Sequence, residues 1–574
     1  MIRRLHKFLD KKQKNQSYLL FCLMFFASGL EFLSIGLILP IIGIFFNSES
    51  TQLFEILNFL KIYFHEENLL LKVLFLFVSI FIIKTSILVF ISWYEQKFIA
   101  TFKEQFSSKL FYNYLNQNYS FFDGRNSSDF IRNLVTELDV ATTYILYSFK
   151  SILESLTIAF LISLLFLVDY SNSFKGVLIF IIIIFSYLKI IRPKLEKWTK
   201  KRFESESKRL QYIREGLSSV KDLKLLERGK FIFKKFKHFN TELRDINKYV
   251  GFVNQLPRYV IEIILILVIF YFFLNVNSVN NFNDDLAILS LFIAAFLRIM
   301  PSLNRLINSL QIVKYSSYSV DKLSDEMLKI SNNLIKDNSK QKIKVEFKNS
   351  IIAKIKKYKY NDKSKFEINN FFLEIKKNEK IGIIGKSGSG KTTIIEILLG
   401  ILNLKEGSVK IDDKFINEIS NRNELFGYIP QKVFILNDTI KNNILFGLDP
   451  QKISNKKILD IVDKTNLNSL LGRTEKGLEG VISEKGSNLS GGEIQRIGIA
   501  RAMIYDPPII FFDEATSSLD TFTERKILQE INTFKDKTFV FVAHRIGTLK
   551  ETDKIYLIEN GKITDSGSYK KFSN

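Results

Sequence analysis

The sequence is poor in the side chains that form disulfides or bind transition metals. It contains one cysteine, Cys22, within an apolar stretch, and only four histidines. A single thiol cannot form an intramolecular disulfide, and these counts argue against thiol catalysis and against a cysteine- or histidine-rich metal site. We therefore expect the chemistry of this chain to depend on carboxylates, amides, hydroxyls and basic groups.

Acidic side chains are also few relative to basic ones. The 82 Lys and Arg exceed the 59 Asp and Glu, which gives a formal net charge of +23. A soluble nucleic-acid-binding protein can be this basic, but 47% of the 574 residues are hydrophobic and 54 are phenylalanine. The combination is typical of a membrane protein with basic cytoplasmic faces, although a generally basic proteome would also raise the charge.

Long apolar runs alternate with basic polar segments in the first 330 residues. A membrane-spanning helix needs about 20 mainly apolar residues. Six runs meet this requirement, at about 18–46, 69–98, 139–168, 174–192, 251–276 and 285–311. The first run is too long for a signal peptide, so it is interpreted as a retained span. Because the segments 99–138 and 193–250 are rich in Lys and Arg, they and both termini are expected in the cytoplasm.

The segment between the first two spans is acidic and is expected outside the membrane. Its residues 53–67 carry apolar side chains at helical spacing, which predicts an amphipathic helix. Such a helix could lie on the outer membrane surface or pack over the first two spans.

The composition and the hydrophobic pattern of the sequence change after residue 330. Residues 331–342 are polar and are interpreted as a linker. From residue 343 to 574, short β-like runs alternate with glycine turns and amphipathic helices, the pattern of an α/β domain. The predicted fold is therefore an α-helical transmembrane domain with six spans (1–330), followed by an α/β domain (343–574) whose motifs, given next, are those of a P-loop nucleotide-binding domain.

A phosphate-binding loop follows the apolar strand at 381–384. Gly385 to Thr392 fits G-x-x-x-x-G-K-[ST] without a mismatch. Glycines allow backbone N–H groups to surround phosphates, and the following helix N-terminus adds positive potential. Lys391 is expected to reach the β- and γ-phosphates of ATP, and Thr392 to bind Mg²⁺. The predicted ATP contacts here are Gly385, Lys386, Ser387, Gly388, Ser389, Gly390, Lys391, Thr392 and Thr393.

A second apolar strand, "IIFFDE" (509–514), ends in two carboxylates. Asp513 is expected to hold Mg²⁺, directly or through water. Glu514 is expected to polarise the attacking water as a general base.

The segment "NLSGGEIQR" (488–496) resembles the signature loop of ATP-binding-cassette (ABC) proteins, and further motifs of that family follow in order. Gln431 resembles the Q-loop glutamine, which senses Mg²⁺. "SSLD" (517–520) resembles the D-loop, and His544 resembles the switch histidine at the γ-phosphate. Tyr360 is placed like the aromatic residue that stacks on adenine, with Tyr358 as the alternative. The resemblance implies further ATP contacts at Ser490, Gly491, Gly492, Glu493 and Asp520.

Three positions depart from the usual family pattern. Glu493 replaces the more frequent glutamine, Asn378 replaces a turn glycine, and Ser483 replaces a glycine of the loop that contacts the partner's coupling helix. Asparagine tolerates the left-handed conformation that such a turn requires.

The resemblance covers the whole chain and implies an ABC exporter half-transporter. Segments 121–139 and 214–229 resemble its two coupling regions. Each ATP would lie between the phosphate loop of one subunit and the signature loop of the other, so the resemblance implies a homodimer with ATP and Mg²⁺ as cofactors. It also implies a multi-pass protein of the bacterial inner membrane with its nucleotide-binding domain in the cytoplasm.

Few basic residues lie within or beside the predicted spans: Lys84, Arg258, Arg298 and Arg305. Arg298 and Arg305 are seven residues apart and therefore share a helix face. Charges within a membrane are expected to face a cavity, and a basic cavity suits an anionic, phosphate-bearing cargo.

Each of these basic residues also has a structural explanation. Arg258 could pair with Glu262, and Lys84 could extend to a membrane interface. Arg298 and Arg305 could bind Glu31 or Glu154 on other spans.

"PRYVIE" (257–262) and "LRIMPSLNRL" (297–306) resemble the corresponding spans of bacterial lipid-linked oligosaccharide flippases. That resemblance implies a lipid substrate, a polyprenyl-pyrophosphate-linked oligosaccharide moved for protein N-glycosylation, and assigns the four basic residues to the cavity. The alternatives are an exporter of another lipid, a drug or a peptide, or an ABC protein whose ATPase only gates. No nucleic-acid partner is expected.

Overall fold

The structure, a computed structural model, divides the chain into two compact units. The described residues are 9–38, 41, 69–168, 170–275, 282–338, 343–360, 366–474, 476–483, 486–515, 521–543 and 545–573. The first unit comprises Met1–Gln117 and Arg125–Leu334, and the second comprises Asn118–Gly124 and Ile335–Asn574. The main division thus falls within the predicted linker. The short segment Asn118–Gly124, which lies within the predicted domain 1–330, groups with the second unit, and the predicted domain bounds stay a prediction.

The described part of the first unit is helical. Its helices are α1 (Lys11–Gly36), α2 (Leu69–Leu115), α3 (Ser127–Arg132), α4 (Leu138–Val168), α5 (Tyr170–Ser218), α6 (Val220–Leu225), α7 (Gly229–Asn275) and α8 (Phe282–Asn338). A π-helical turn, Asn133–Glu137, joins α3 to α4. The 57 residues of α8 correspond to about 85 Å at 1.5 Å per residue, far more than the roughly 30 Å of a bilayer core. This helix therefore has room for both a span and a polar extension.

Three helical segments among the described residues are long and apolar enough to cross a membrane: Lys11–Gly36, Leu70–Leu115 and Ser127–Leu167. They overlap the first three predicted spans. The other three predicted spans fall on the continuous helices α5, α7 and α8. The count of six spans stays a prediction, and the amphipathic helix predicted at 53–67 lies outside the described residues.

The first unit is held together by aliphatic packing between its long helices. Leu161 of α4, Ile261 of α7 and Leu303 of α8 belong to one buried cluster, which also includes Ile35 of α1. Three prolines, at 193, 257 and 301, lie inside α5, α7 and α8 without ending them. Prolines are tolerated in this way where neighbouring helices and polar side chains satisfy the freed backbone groups.

The predicted linker is largely helical, because α8 continues through Asn338. Its polar composition, which led to its interpretation as a linker, is also compatible with the end of a long helix. Residues 339–342 lie outside the described part of the chain.

The second unit is an α/β domain with two sheets. Its strands are β1 (Ser350–Tyr358), β2 (Ile368–Lys376), β3 (Lys380–Ile384), β4 (Glu406–Ile411), β5 (Lys414–Phe415), β6 (Phe426–Ile429), β7 (Ile509–Asp513), β8 (Thr538–Val542), β9 (Lys554–Glu559) and β10 (Lys562–Gly567). The antiparallel sheet has the order β2-β1-β4-β5, and the larger sheet has the order β10-β9-β3-β8-β7-β6. Strands β9, β3, β8, β7 and β6 are parallel, so their carboxyl ends meet at one edge.

Eight helices connect these strands in the described residues: α9 (Lys391–Leu398), α10 (Arg422–Leu425), α11 (Ile440–Leu445), α12 (Asn455–Lys464), α13 (Asn468–Gly472), α14 (Gly491–Met503), α15 (Thr521–Thr533) and α16 (Tyr569–Phe572). Strands β7 and β8 are buried along their whole length, as expected for parallel strands covered on both faces. Ile394 of α9 packs in one cluster with Ile383 of β3 and Phe511 of β7. Burying each such side chain contributes about 1.5–3 kcal/mol, which holds α9 and both strand ends in place.

Candidate functional site

The phosphate loop connects the end of β3 to the start of α9. Gly390, the residue before α9, has φ 101°, a conformation that glycine adopts readily. A Cβ atom at Gly385 would lie 2.2 Å from the carbonyl oxygen of Ile558, so a side chain cannot fit there. Lys386, Ser387 and Gly388 are exposed, whereas Ser389 is buried. The loop therefore leaves its backbone and the helix N-terminus open to an anion.

Lys391 is buried and spans the loop from inside. Its Nζ atom donates to the carbonyl oxygens of Gly385 at 2.9 Å and Lys386 at 3.2 Å. The Glu514 carboxylate is 4.0 Å from the same nitrogen. Burial lowers the pKa of Lys391, and the opposing effect of the neighbouring carboxylates does not cancel it. The two carbonyl oxygens compensate the positive charge of Lys391 only in part. A bound phosphate would supply the remaining negative charge.

Asp513 ends strand β7 and is almost fully buried. Its two carboxylate oxygens accept hydrogen bonds from Thr392 Oγ1 and from the Tyr428 hydroxyl, each at 3.3 Å. Burial raises the pKa of the Asp513 carboxyl. A hydroxyl and a carboxylate at this separation are oxygen ligands that suit Mg²⁺, with phosphate and water completing the shell. Thr392 and Asp513 therefore fit a magnesium ion, which would neutralise phosphate charge during phosphoryl transfer.

Glu514 follows Asp513 with φ 52°, a left-handed conformation that is uncommon for glutamate. Its N–H donates to the Val542 carbonyl oxygen at 3.1 Å, which fixes the turn after β7. Gln431 Nε2 donates to Glu514 Oε2 at 2.6 Å, and Gln495 Nε2 donates to the Gln431 carbonyl oxygen at 2.9 Å. The structure thus brings the side-chain amide of Gln431 to Glu514, the predicted general base. The expectation that Gln431 senses Mg²⁺ stays a prediction.

Tyr360 lies beside the first turns of α9. Its hydroxyl is 2.9 Å from Thr393 Oγ1 and donates to Glu396 Oε2 at 3.2 Å. Burial raises the pKa of Tyr360 to about 12. Tyr360 is 37% exposed whereas Tyr358 is 8% exposed, so Tyr360 is the tyrosine that retains surface for a base.

The signature residues form the start of helix α14. Ser490 caps the helix in a reciprocal capping box: the Glu493 backbone N–H donates to Ser490 Oγ at 3.3 Å, and the Ser490 backbone N–H donates to Glu493 Oε2 at 2.8 Å. Arg473 pairs with the other Glu493 oxygen. Ser490 and Gly491 are exposed, Gly492 is partly buried and Glu493 is buried. Within this chain, Glu493 therefore stabilises the loop, while the exposed residues before it remain open to an anion.

Two predicted site residues, Asp520 and His544, lie outside the described residues. Asn378 has φ 63°, the left-handed conformation expected for a residue that replaces a turn glycine.

In the first unit, each of the four predicted cavity residues pairs with a carboxylate. Glu31 of α1 accepts contacts from both Lys84 and Arg298, with a distance of 3.0 Å from Lys84 Nζ to Glu31 Oε2. The Lys84 ammonium also lies 4.0 Å from the ring centroid of Phe81. Lys84 is 5% exposed, so it does not extend to a membrane interface.

Among the described residues, the other two arginines each pair with one carboxylate. Arg305 pairs with Glu154 of α4 through Nε and Nη2, and Nη2 also donates to Ser302 Oγ at 3.0 Å. Arg258 Nε donates to Glu262 Oε1 at 3.0 Å, one turn further along α7. All four basic residues thus form the ion pairs that were given as the structural alternative, and their assignment to a substrate cavity stays a prediction.

Several residues of these sites were not identified from the sequence: Tyr428, Glu396, Gln495, Arg473 and the pairing of Lys84 with Glu31. The structure explains the position of Tyr428, because β6 pairs with β7 and places Tyr428 opposite Phe511, which precedes Asp513 by two residues. For Arg473 and Lys84 the sequence contains no local signal, since their partners are distant along the chain.

Comparison with known proteins agrees with this architecture. A family model of the ABC transporter transmembrane region matches residues 18–300, and a family model of the ABC transporter matches residues 368–517. The fold, the phosphate loop and these two matches show that the chain belongs to the ABC transporter family, with the half-transporter arrangement of one membrane domain and one nucleotide-binding domain.

Individual relatives match over parts of their length. The chain is 34% identical to a putative export ATP-binding/permease protein of Rickettsia typhi over 249 residues, 43% of this chain and 42% of that protein. It is 32% identical to an ATP-dependent lipid A-core flippase of Haemophilus influenzae over 229 residues, 39% of this chain and 38% of that protein. The chain thus spans less than half the length of the curated relatives it matches.

A solved structure titled as a bacterial Atm1-family ABC exporter with ATP bound superposes with a TM-score of 0.76. The match covers 98% of this chain and 96% of the other at 17% identity. At this identity the similarity establishes the fold.

Proposed function

We propose that this chain, as a homodimer in a bacterial inner membrane, uses ATP hydrolysis to export an amphipathic anionic substrate. Lys391, Thr392, Asp513 and Glu514 supply the hydrolytic site, with the signature loop of the second copy completing it. Their arrangement supports phosphate binding next to a magnesium site and a carboxylate base.

The observation that carries the proposal for cargo is the shared carboxylate of Glu31. Two cations, Lys84 and Arg298, contact one anion, so this cluster retains a positive charge within the predicted spans. The Arg298 side chain is 33% exposed, so part of it is not enclosed by the protein. A phosphate-bearing head group would complete the charge balance, since guanidinium groups bind phosphate in a bidentate manner.

The most specific form of this proposal is a polyprenyl-pyrophosphate-linked oligosaccharide used for protein N-glycosylation. The second candidate is another lipid, a drug or a peptide; the match to a lipid A-core flippase favours another lipid among these.

The test is ATP-dependent translocation of a labelled polyprenyl-pyrophosphate glycan by the full-length protein in proteoliposomes, alongside a panel of other lipids, drugs and peptides. Arg298→Ala with Arg305→Ala is expected to abolish glycan translocation. Arg298→Ala alone is the cleaner variant, because Glu31 keeps its contact with Lys84. The matched control is Arg244→Ala, which removes an exposed arginine that pairs with the adjacent Asp245.

Unchanged glycan translocation by both arginine variants would contradict the anionic cargo site. If the protein transports another lipid, a drug or a peptide but not the polyprenyl-pyrophosphate glycan, that substance replaces the glycan as the proposed cargo. Loss of transport in the Arg244→Ala control would show that any loss of arginine is harmful.

A further inference from the structure

Tyr428 of strand β6 contacts the predicted magnesium site without being one of its expected ligands. Its hydroxyl donates to Asp513 Oδ2 at 3.3 Å, while Thr392 Oγ1 donates to Asp513 Oδ1 at the same distance. Thr392 is itself expected to bind Mg²⁺, whereas carboxylate, phosphate and water oxygens are the usual remaining ligands of this ion. An effect of Tyr428 on magnesium would therefore pass through Asp513.

The pairing of β6 with β7 explains how Tyr428 reaches this carboxylate. Tyr428 lies opposite Phe511, and Phe511 and Asp513 point to the same face of the sheet because side chains alternate along a strand. The ring of Phe426 packs edge to face on Phe511, with 5.7 Å between the ring centroids, so β6 presents Phe426 and Tyr428 to that face. Two residues along a parallel strand span about 6.6 Å, a distance that a tyrosine side chain bridges.

The surroundings of Tyr428 keep its hydroxyl in the donor state. Burial, with Asp513 and Glu396 nearby, raises the pKa of Tyr428. The hydroxyl therefore retains its proton at neutral pH and offers it to the carboxylate. Asp513 is 1% exposed, so water has little access to take the place of this donor.

Asp513 uses one carboxylate oxygen for each of its two donors. The last side-chain torsion of an aspartate is only weakly restricted, so hydrogen bonds are needed to fix the plane of its carboxylate. With Oδ2 held by Tyr428, Oδ1 is directed to Thr392, whose side chain is exposed. Partners that orient a ligand from behind in this way change metal affinity by about 10–100-fold when they are removed.

We propose that Tyr428 is a positioning residue for magnesium, which holds Asp513 Oδ2 and thereby keeps Oδ1 beside Thr392. This role rests on the proposed hydrolytic site and is independent of the cargo. The Tyr428 hydroxyl should then affect the affinity for the metal ion more than the rate of hydrolysis once the ion is bound.

The test compares Tyr428→Phe with the unmodified full-length protein. The substitution removes the hydroxyl and keeps the ring, so the variant should fold, and thermal unfolding checks this. Metal affinity is measured directly by electron paramagnetic resonance, with Mn²⁺ as the probe ion and a non-hydrolysable ATP analogue present. We expect Mn²⁺ to bind about tenfold more weakly to Tyr428→Phe.

A kinetic measurement separates this role from a merely structural one. The Mg²⁺ concentration for half-maximal ATP hydrolysis should rise about tenfold in Tyr428→Phe, while kcat at saturating Mg²⁺ changes much less. The matched control is Tyr505→Phe, which removes the hydroxyl of a tyrosine that is 42% exposed. Tyr505→Phe should leave both the Mn²⁺ affinity and the Mg²⁺ requirement unchanged.

Equal Mn²⁺ affinity of Tyr428→Phe and the unmodified protein would overturn the proposal. An equal shift in Tyr505→Phe, or a loss of kcat at saturating Mg²⁺ without a change in Mn²⁺ affinity, would also overturn it. Failure of the proposed function would appear in the unmodified protein itself, as an absence of magnesium-dependent ATP hydrolysis. The comparison of Mn²⁺ affinities would still decide the role of Tyr428 in that case.

Discussion

Two buried lysines in this molecule have the same exposure and opposite surroundings. Lys391 in the phosphate loop and Lys84 in helix α2 are each 5% exposed. Lys84 is 3.0 Å from the carboxylate of Glu31, whereas Lys391 donates to two carbonyl oxygens and remains 4.0 Å from its nearest paired carboxylate. One charge is neutralised by the protein and the other is kept for a ligand.

The solvent around each region explains this difference. In hydrocarbon an unpaired charge costs at least a few kcal/mol, so a lysine in a span requires a carboxylate. In the nucleotide-binding domain, water and bound phosphate can compensate a positive charge that has no close carboxylate. The two lysines therefore differ in how closely a carboxylate approaches them, although they are equally buried.

The strongest test of this comparison is Glu514→Gln at the open site. Because the amide cannot accept a proton from water, ATP hydrolysis is expected to fall about 10²–10⁴-fold while ATP remains bound. Phosphate release and nucleotide retention by the full-length protein measure the two effects. Glu551→Gln, at an exposed position, is the control. Rapid hydrolysis by Glu514→Gln would refute the general-base assignment.

Glu31→Gln tests the paired site. It leaves the buried Lys84 and the partly buried Arg298 without their carboxylate, so the free energy of unfolding should fall by about 3–5 kcal/mol. Unfolding in SDS measures this change. Adding Lys84→Met should restore part of the stability, and Glu104→Gln, an exposed position on α2, should have little effect. If Glu31→Gln leaves the free energy of unfolding unchanged, the cluster does not act as a structural ion pair.

Gly385→Ala tests whether the open site depends on backbone geometry. The added Cβ would lie 2.2 Å from the carbonyl oxygen of Ile558, so we expect a loss of about 1–3 kcal/mol in stability together with weaker ATP binding. Denaturant unfolding and nucleotide titration measure the two quantities. Gly547→Ala introduces a methyl group into open space and is the control. If Gly385→Ala and Gly547→Ala have the same stability and ATP affinity, the loop can shift away from Ile558 without a cost in either quantity.

Glu262→Gln should have the smallest effect. Arg258 and Glu262 form an exposed pair one helical turn apart, with side chains 66% and 41% exposed. Arg258 is one of the residues assigned to the predicted cavity, where water would surround this pair, and ion pairs in water contribute about 0.5 kcal/mol or less. A loss in SDS unfolding as large as that of Glu31→Gln would contradict the distinction between the buried and the exposed pair.

Much of the nucleotide site could be predicted because its residues lie in short, continuous motifs. The loop Gly385–Thr392 and the pair Asp513–Glu514 each combine local strand and helix signals with the chemistry of phosphate and magnesium. The structure confirms the fold class and brings Lys391, Thr392, Asp513 and Glu514 together.

For the basic residues of the membrane domain, the sequence allowed only a set of alternative ion-pair partners to be proposed. Glu31 is 267 residues from Arg298, and Glu154 is 151 residues from Arg305. Spacing along a helix identifies a partner such as Glu262 for Arg258, but it cannot choose between carboxylates on different helices. The position of Asn118–Gly124 in the second unit and the helical character of the linker also depend on packing that no local pattern reveals.

The sequence by itself determined the architecture and the phosphate-binding chemistry, because hydrophobic periodicity and glycine-containing turns act over a few neighbouring residues. The tertiary structure decided which charges remain open. Lys84, Arg298 and Arg305 are paired because helices distant in sequence bring carboxylates to them.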